Sequence, residues 1–158
     1  MRIRVAFFKG KGNFWNKVVR WWTESPYSHA ELVMPDEITW ISISPFLTSR
    51  VESREKTEWD EDQWDFIDFF ISEKEYYELE DFYEETKGCK YDWVGMIGSQ
   101  ILPFGWRIKN TQKWYCSEWI AYALRISDII PWKKFKIYEK KHITPSNLYQ
   151  IIQDSLIE

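Results

Sequence analysis

The chain opens on a β pattern. Residues 2–8, "RIRVAFF", alternate and are rich in strand formers, which predicts a strand. After the loop "KGKGN", Phe14, Val18, Trp21 and Trp22 recur at helical spacing and predict a helix over 14–24, with Asn13 as cap and Ser25-Pro26 as stop. "SHAELVM" (28–34) and "ITWISIS" (38–44) read as two strands of a hairpin around "PDE". Residues 45–63 are polar and irregular, and "WDFIDFFI" (64–71) is a further strand. The second half is helical. Residues 72–88 carry Ser72 and Glu75 as a capping box and Gly88 as the stop. Helices are also predicted over 91–102, between Asp92 and Pro103, and over 116–126, with Trp119, Ile120, Ala123 and Leu124 on one face. "FKIYEK" (135–140) reads as a short strand, and 144–156 as a closing helix capped by Thr144 with Pro145 at its first position. Strands and helices mix without regular βαβ alternation, so an α+β fold is expected, as one domain over 1–158.

Composition changes this picture in three places. The 11 Trp, 9 Tyr and 10 Phe predict a core and cleft lined with aromatic rings. The net charge of −4 argues against nucleic acid as a partner. Charge is also segregated: residues 1–20 carry only basic side chains, 52–85 are dominated by acids, and Lys133 to Lys141 are basic again. Solvated faces that attract one another account for this. No apolar run is long enough for a membrane span, and the N-terminus lacks a signal-peptide pattern, so a cytoplasmic protein is expected. Two cysteines, Cys89 and Cys116, make no disulfide framework. A zinc site from His29, Cys89, Cys116 and His142 would lack the close-spaced ligand pairs of structural sites. The acidic run at 58–65 lacks the glycine and terminal glutamate of a calcium loop, and no metal or cofactor is expected.

The candidate chemistry lies in two segments. Alternation in 28–34 sets Ala30, Leu32 and Met34 on one face and His29, Glu31 and Val33 on the other. An imidazole and a carboxylate then stand about 7 Å apart along the strand. Cys116 begins a predicted helix, where the macrodipole and unsatisfied N–H groups favour the thiolate. An imidazole within reach would complete a nucleophile–base pair, oriented by Glu31 or by Ser42 or Ser44 on the next strand. On spacing alone a buried structural cysteine and a solvent-facing histidine are the commoner reading. His142 reads as a loop histidine, Cys89 as a small buried side chain, and Tyr91 and Asp92 as a packing residue and a cap.

"SPYSHAELV", followed by "YCSEWIAYAL", resembles the circularly permuted branch of the NlpC/P60 papain-like superfamily, which includes YiiX/YaeF-like and phage-borne proteins. Histidine on a strand precedes cysteine at a helix start, as in that branch. "GCKYDWVG" (88–95) and "ITPSNL" (143–148) are similar to further segments of it, so the resemblance spans most of the chain. It implies a permuted papain-like fold, with an antiparallel sheet packed against helices. The implied activity is a cysteine hydrolase (thiol peptidase or amidase), acting on peptide amides, cell-wall peptides included, or on lipid-linked acyl groups. Cys116 would be the nucleophile and His29 the base. The superfamily's orienting residue usually lies on the strand after the histidine. That strand offers only Ser42 or Ser44 here, so Glu31 is the expected third member. Tyr27 and Trp22, flanking the histidine strand, are expected to line the substrate cleft. Acyl transfer to an acceptor other than water, and a non-catalytic peptide- or lipid-binding module on the same fold, are the alternatives.

Overall fold

The computed structural model describes residues 1–10, 26–44, 49–92, 113–136 and 143–157. The predicted helix at 14–24 with Asn13 and Trp22, most of the one at 91–102, and His142 lie outside the described residues. Five strands form one antiparallel sheet: β1 (Arg2–Phe8), β2 (His29–Val33), β3 (Thr39–Ser42), β4 (Glu52–Glu55) and β5 (Trp64–Phe70), in the order β4-β3-β2-β1-β5. Helix α1 (Glu73–Thr86) follows, then a two-stranded parallel pair, β6 (Lys90–Tyr91) and β7 (Lys113–Trp114). Helices α2 (Cys116–Ile126), α3 (Trp132–Phe135) and α4 (Pro145–Leu156) complete the order. The α+β expectation and the antiparallel sheet are observed.

The local signals explain most boundaries. Ser72 and Glu75 form a reciprocal capping box on α1, and Gly88, at φ 82°, takes the left-handed conformation after it. Thr144 and Asn147 cap α4 in the same way, with Pro145 in its first turn. In the β2–β3 hairpin, Asp36 accepts from the backbone N–H groups of Ile38 and Thr39 at 3.1 and 2.8 Å.

Three expectations are corrected. The region read as irregular over 45–63 contains strand β4. Its sequence, "ESRE", has no apolar alternation because it is an edge strand, paired only with β3. The strand expected over 135–140 fails at its first residue, since Phe135 ends the short helix α3 that Pro131 caps. The helix expected from residue 91 fails at its start: Tyr91 is extended and paired with Trp114.

Both faces of the sheet are covered differently. Ile3, Val5, Phe7, Ala30, Leu32, Ile41 and Ile67 face α1, α2 and α4 in the main core, where Leu79, Trp119, Ile120, Leu124 and Leu148 meet them. The opposite face carries a second cluster of Ala6, Val33, Trp40 and Trp64, bordered by Phe8, Trp59 and Phe66. The segregated charges meet at the β1–β5 edge, where Arg2 and Arg4 pair with Asp68 and Lys9 with Asp65. Among the described residues, no helix is long and apolar enough to cross a membrane.

Candidate active site

Helix α2 is held at its N-terminal end by buried polar contacts. Ser117 Oγ donates to Ile143 O at 2.5 Å, and Tyr115 Oη accepts from Ile143 N at 2.8 Å. Trp119 Nε1 donates to Thr86 Oγ1 of α1 at 2.8 Å, and its ring stacks on Phe82. The apolar face predicted from Trp119, Ile120, Ala123 and Leu124 is buried throughout. The helix therefore has little freedom to shift, and its first residue, Cys116, is fixed against the start of β2. Tyr115, at the N-cap position, supplies no side-chain cap hydrogen bond. First-turn N–H groups of a helix are able to serve a ligand or the sulfur.

The sulfur meets His29 there. The imidazole and the backbone N–H groups of Ala30 and Ser117 are the groups near enough to favour the charged sulfur. Burial alone would push the Cys116 thiol up. The His29 imidazolium and the two N–H groups outweigh burial and hold the thiol below its usual range. Burial alone would lower the imidazole; the Cys116 thiolate and Glu31 outweigh it and push His29 up to about 10. Each partner's charge favours the other's, which biases the pair toward thiolate and imidazolium. Cys116 is 7% exposed and the His29 side chain 16%, so the pair borders solvent without being open to it.

Glu31 lies behind the imidazole, as the strand alternation requires. Its Oε1 is 3.3 Å from His29 Nε2. The ring N–H points off that line, so the contact is an ion pair without hydrogen-bond alignment. Glu31 is 1% exposed, and burial alone would raise its carboxyl; His29, Arg54 and Lys56 outweigh burial and hold it lowered. Ser42, the sequence alternative, is buried on β3 with its Oγ unbonded among the described residues, and Ser44 is buried beyond it.

Three neighbours were not foreseen as site residues. Arg54, on β4, forms an ion pair through Nη2 with Glu31 Oε1. Lys56, just past β4, places its ammonium 4.0 Å from the ring centroids of both Trp40 and Trp64. Tyr91, expected only to pack, has its phenol raised well above its usual value by burial, by Cys116 and by Asp92, so it is a protonated phenol close to the sulfur. The one sequence signal for Arg54 and Lys56 is their spacing of two in a polar run, which sets two cations on one strand face.

Tyr27, expected at the cleft, is buried. Its hydroxyl donates to Asp65 Oδ2 at 2.7 Å, and its ring packs on Phe7 and Tyr149. Asp92 is buried, with its N–H on Trp114 O. Cys89 is half-buried against the core. Among the described residues, no cluster of His, Cys, Asp and Glu could hold a metal ion. No family model, curated protein or solved structure matches the chain.

Proposed function

We propose that the chain is a cysteine hydrolase of permuted papain-like fold, with Cys116 as nucleophile, His29 as general base and acid, and Glu31 orienting the imidazole. The observation that carries this reading is that the Cys116 thiol, at the start of α2, and the His29 imidazole, at the start of β2, are close enough to stabilise each other's charge. The thiolate attacks an amide or ester carbonyl carbon, and a C–S bond forms. Helix N–H groups stabilise the oxyanion. The C–N or C–O bond breaks as His29 protonates the leaving group, leaving an acyl-enzyme. Water then attacks the acyl carbon, His29 takes its proton, and the C–S bond breaks. Peptide amides, including cell-wall peptides, and lipid-linked acyl groups are the substrate classes that the sequence resemblance implies.

Alkylation with iodoacetamide near pH 7, followed by peptide mapping, tests the reading. Cys116 is expected to react selectively and fast. Cys89 serves as the internal control. Equal, slow labelling of both cysteines would leave a non-catalytic binding module as the better description.

A further inference from the structure

A buried carboxylate beside an imidazole has two states of similar energy. In one, glutamate and imidazolium are both charged; in the other, the proton sits on the carboxyl and both are neutral. Apolar surroundings favour the neutral state, because two charges must otherwise be desolvated. Glu31 has such surroundings. It is 1% exposed, and its β1 neighbour across the sheet is Ala6. Its Oε2 has no hydrogen-bond partner among the described residues. Something must favour the charged state.

Arg54 supplies it. It reaches Glu31 from β4, across the intervening strand β3, where Trp40 is its direct cross-strand partner. Its guanidinium lands on Oε1, the same oxygen that lies 3.3 Å from His29 Nε2. The side chain is 32% exposed, so the positive charge keeps part of its hydration while its partner keeps none. That asymmetry makes the pair cheaper than one buried at both ends. Arginine also brings a permanent charge. Lys56 adds a second cation, fixed between Trp40 and Trp64.

We propose that Arg54 is a positioning residue for the catalytic pair: its guanidinium keeps Glu31 ionised and turned onto the imidazole of His29. The proposal rests on the reading of Cys116 and His29 as nucleophile and base. Arg54 touches neither the sulfur nor a substrate; it acts through Glu31. The line Cys116, His29, Glu31, Arg54 then alternates in charge from α2 across the sheet to its edge.

Other groups set the background. Facing the pair among the described residues are Tyr91 on β6 and Lys56 beyond β4. Ser42 on β3 is uncharged, β1 contributes only Ala6 and Phe8 opposite Glu31 and His29, and Glu52 on β4 is exposed opposite Ser42.

The chain has two histidines, so its proton NMR spectrum has two imidazole C2–H signals, and His29→Gln assigns them. In the unaltered protein the His29 signal is expected to titrate well above neutrality. Arg54→Gln should move that midpoint down by at least about one pH unit, because Glu31 then takes the proton. Glu31→Gln should lower it comparably. Arg54→Gln added to Glu31→Gln should change it little further, and Arg54→Lys should retain most of the elevation. A midpoint that is unchanged or raised in Arg54→Gln overturns the proposal, as does an undiminished effect of Arg54→Gln in the Glu31→Gln chain. If Arg54→Gln does not fold, Arg54→Lys and the double variant, which leaves no lone buried charge, carry the same comparison. The titration in a Cys116→Ala chain separates the two readings. A midpoint there that still falls on Arg54→Gln supports Arg54 even if alkylation shows Cys116 to be unreactive; one that does not fall overturns it.

Discussion

The two faces of strand β2 are one residue apart and obey different physics. On one face Ala30, Leu32 and Met34 enter the helix-covered core, and their contribution scales with the apolar area removed from water. On the other, His29 and Glu31 hold buried charge whose state depends on Cys116, Arg54 and Lys56. The first face is tolerant, since any well-filling apolar side chain stabilises it. The second is conditional, because removing one member changes what its neighbours are. A substitution on the helix face should therefore act on stability, and one on the polar face on reactivity.

The largest effect should come from His29→Ala. Hydrolysis of a responsive substrate should fall by about 10²–10⁴-fold, the usual contribution of a general acid–base. Cys116 alkylation near pH 7 should slow by about tenfold or more as the thiol regains an ordinary pKa. Unchanged labelling with a folded chain would erase the distinction between the faces. Next is Leu32→Ala, one residue along and fully buried. It should cost about 2–5 kcal/mol in urea unfolding, while the pH profile of alkylation in the folded protein stays put. A shifted profile would mean that the two faces are coupled through the strand.

The smallest effect, and the sharpest, concerns stability against pH. His29 is raised above the free imidazole value of 6.5, so its contribution is complete below 6.5 and is lost as pH rises through about 10. Cys116 is lowered from 9.0, so its contribution is present above 9.0 and is lost as pH falls through the folded value. Below 9.0 the two dependences oppose one another; above it only the His29 dependence remains. Unfolding free energy linked to this pair should therefore decline as pH rises from 9.0 through about 10. In Cys116→Ala the thiolate that leads in raising the imidazole is gone, so that decline, no more than about 1.4 kcal/mol per pH unit for one proton, should shrink. Parallel curves for the two proteins would show that the pair is not charged as described.

Legibility followed the same division. The start of α2 at Cys116, the capping boxes of α1 and α4, and the face alternation of β2 were all readable, because each depends on residues within four positions of one another. Strand β4 was not: "ESRE" has no apolar period, and only its pairing to β3 makes it a strand. Phe135 and Tyr91 were misassigned because short apolar or aromatic runs suit several conformations, and tertiary neighbours chose among them. Glu31 could be named beside His29 from alternation, but Arg54 could not, since it lies 23 positions away in a polar run.

The order of residues alone determined which side chains share a face and where helices begin, since backbone periods of 2 and 3.6 are local properties. Which groups touch was decided only in three dimensions. The 87 positions between His29 and Cys116 close because α2 packs on β2, and the Glu31–Arg54 pair exists because β4 joins the sheet. Charge state followed from those contacts. A pKa in a poorly solvated site is set by the few charges and dipoles within several ångströms, whatever their distance along the chain.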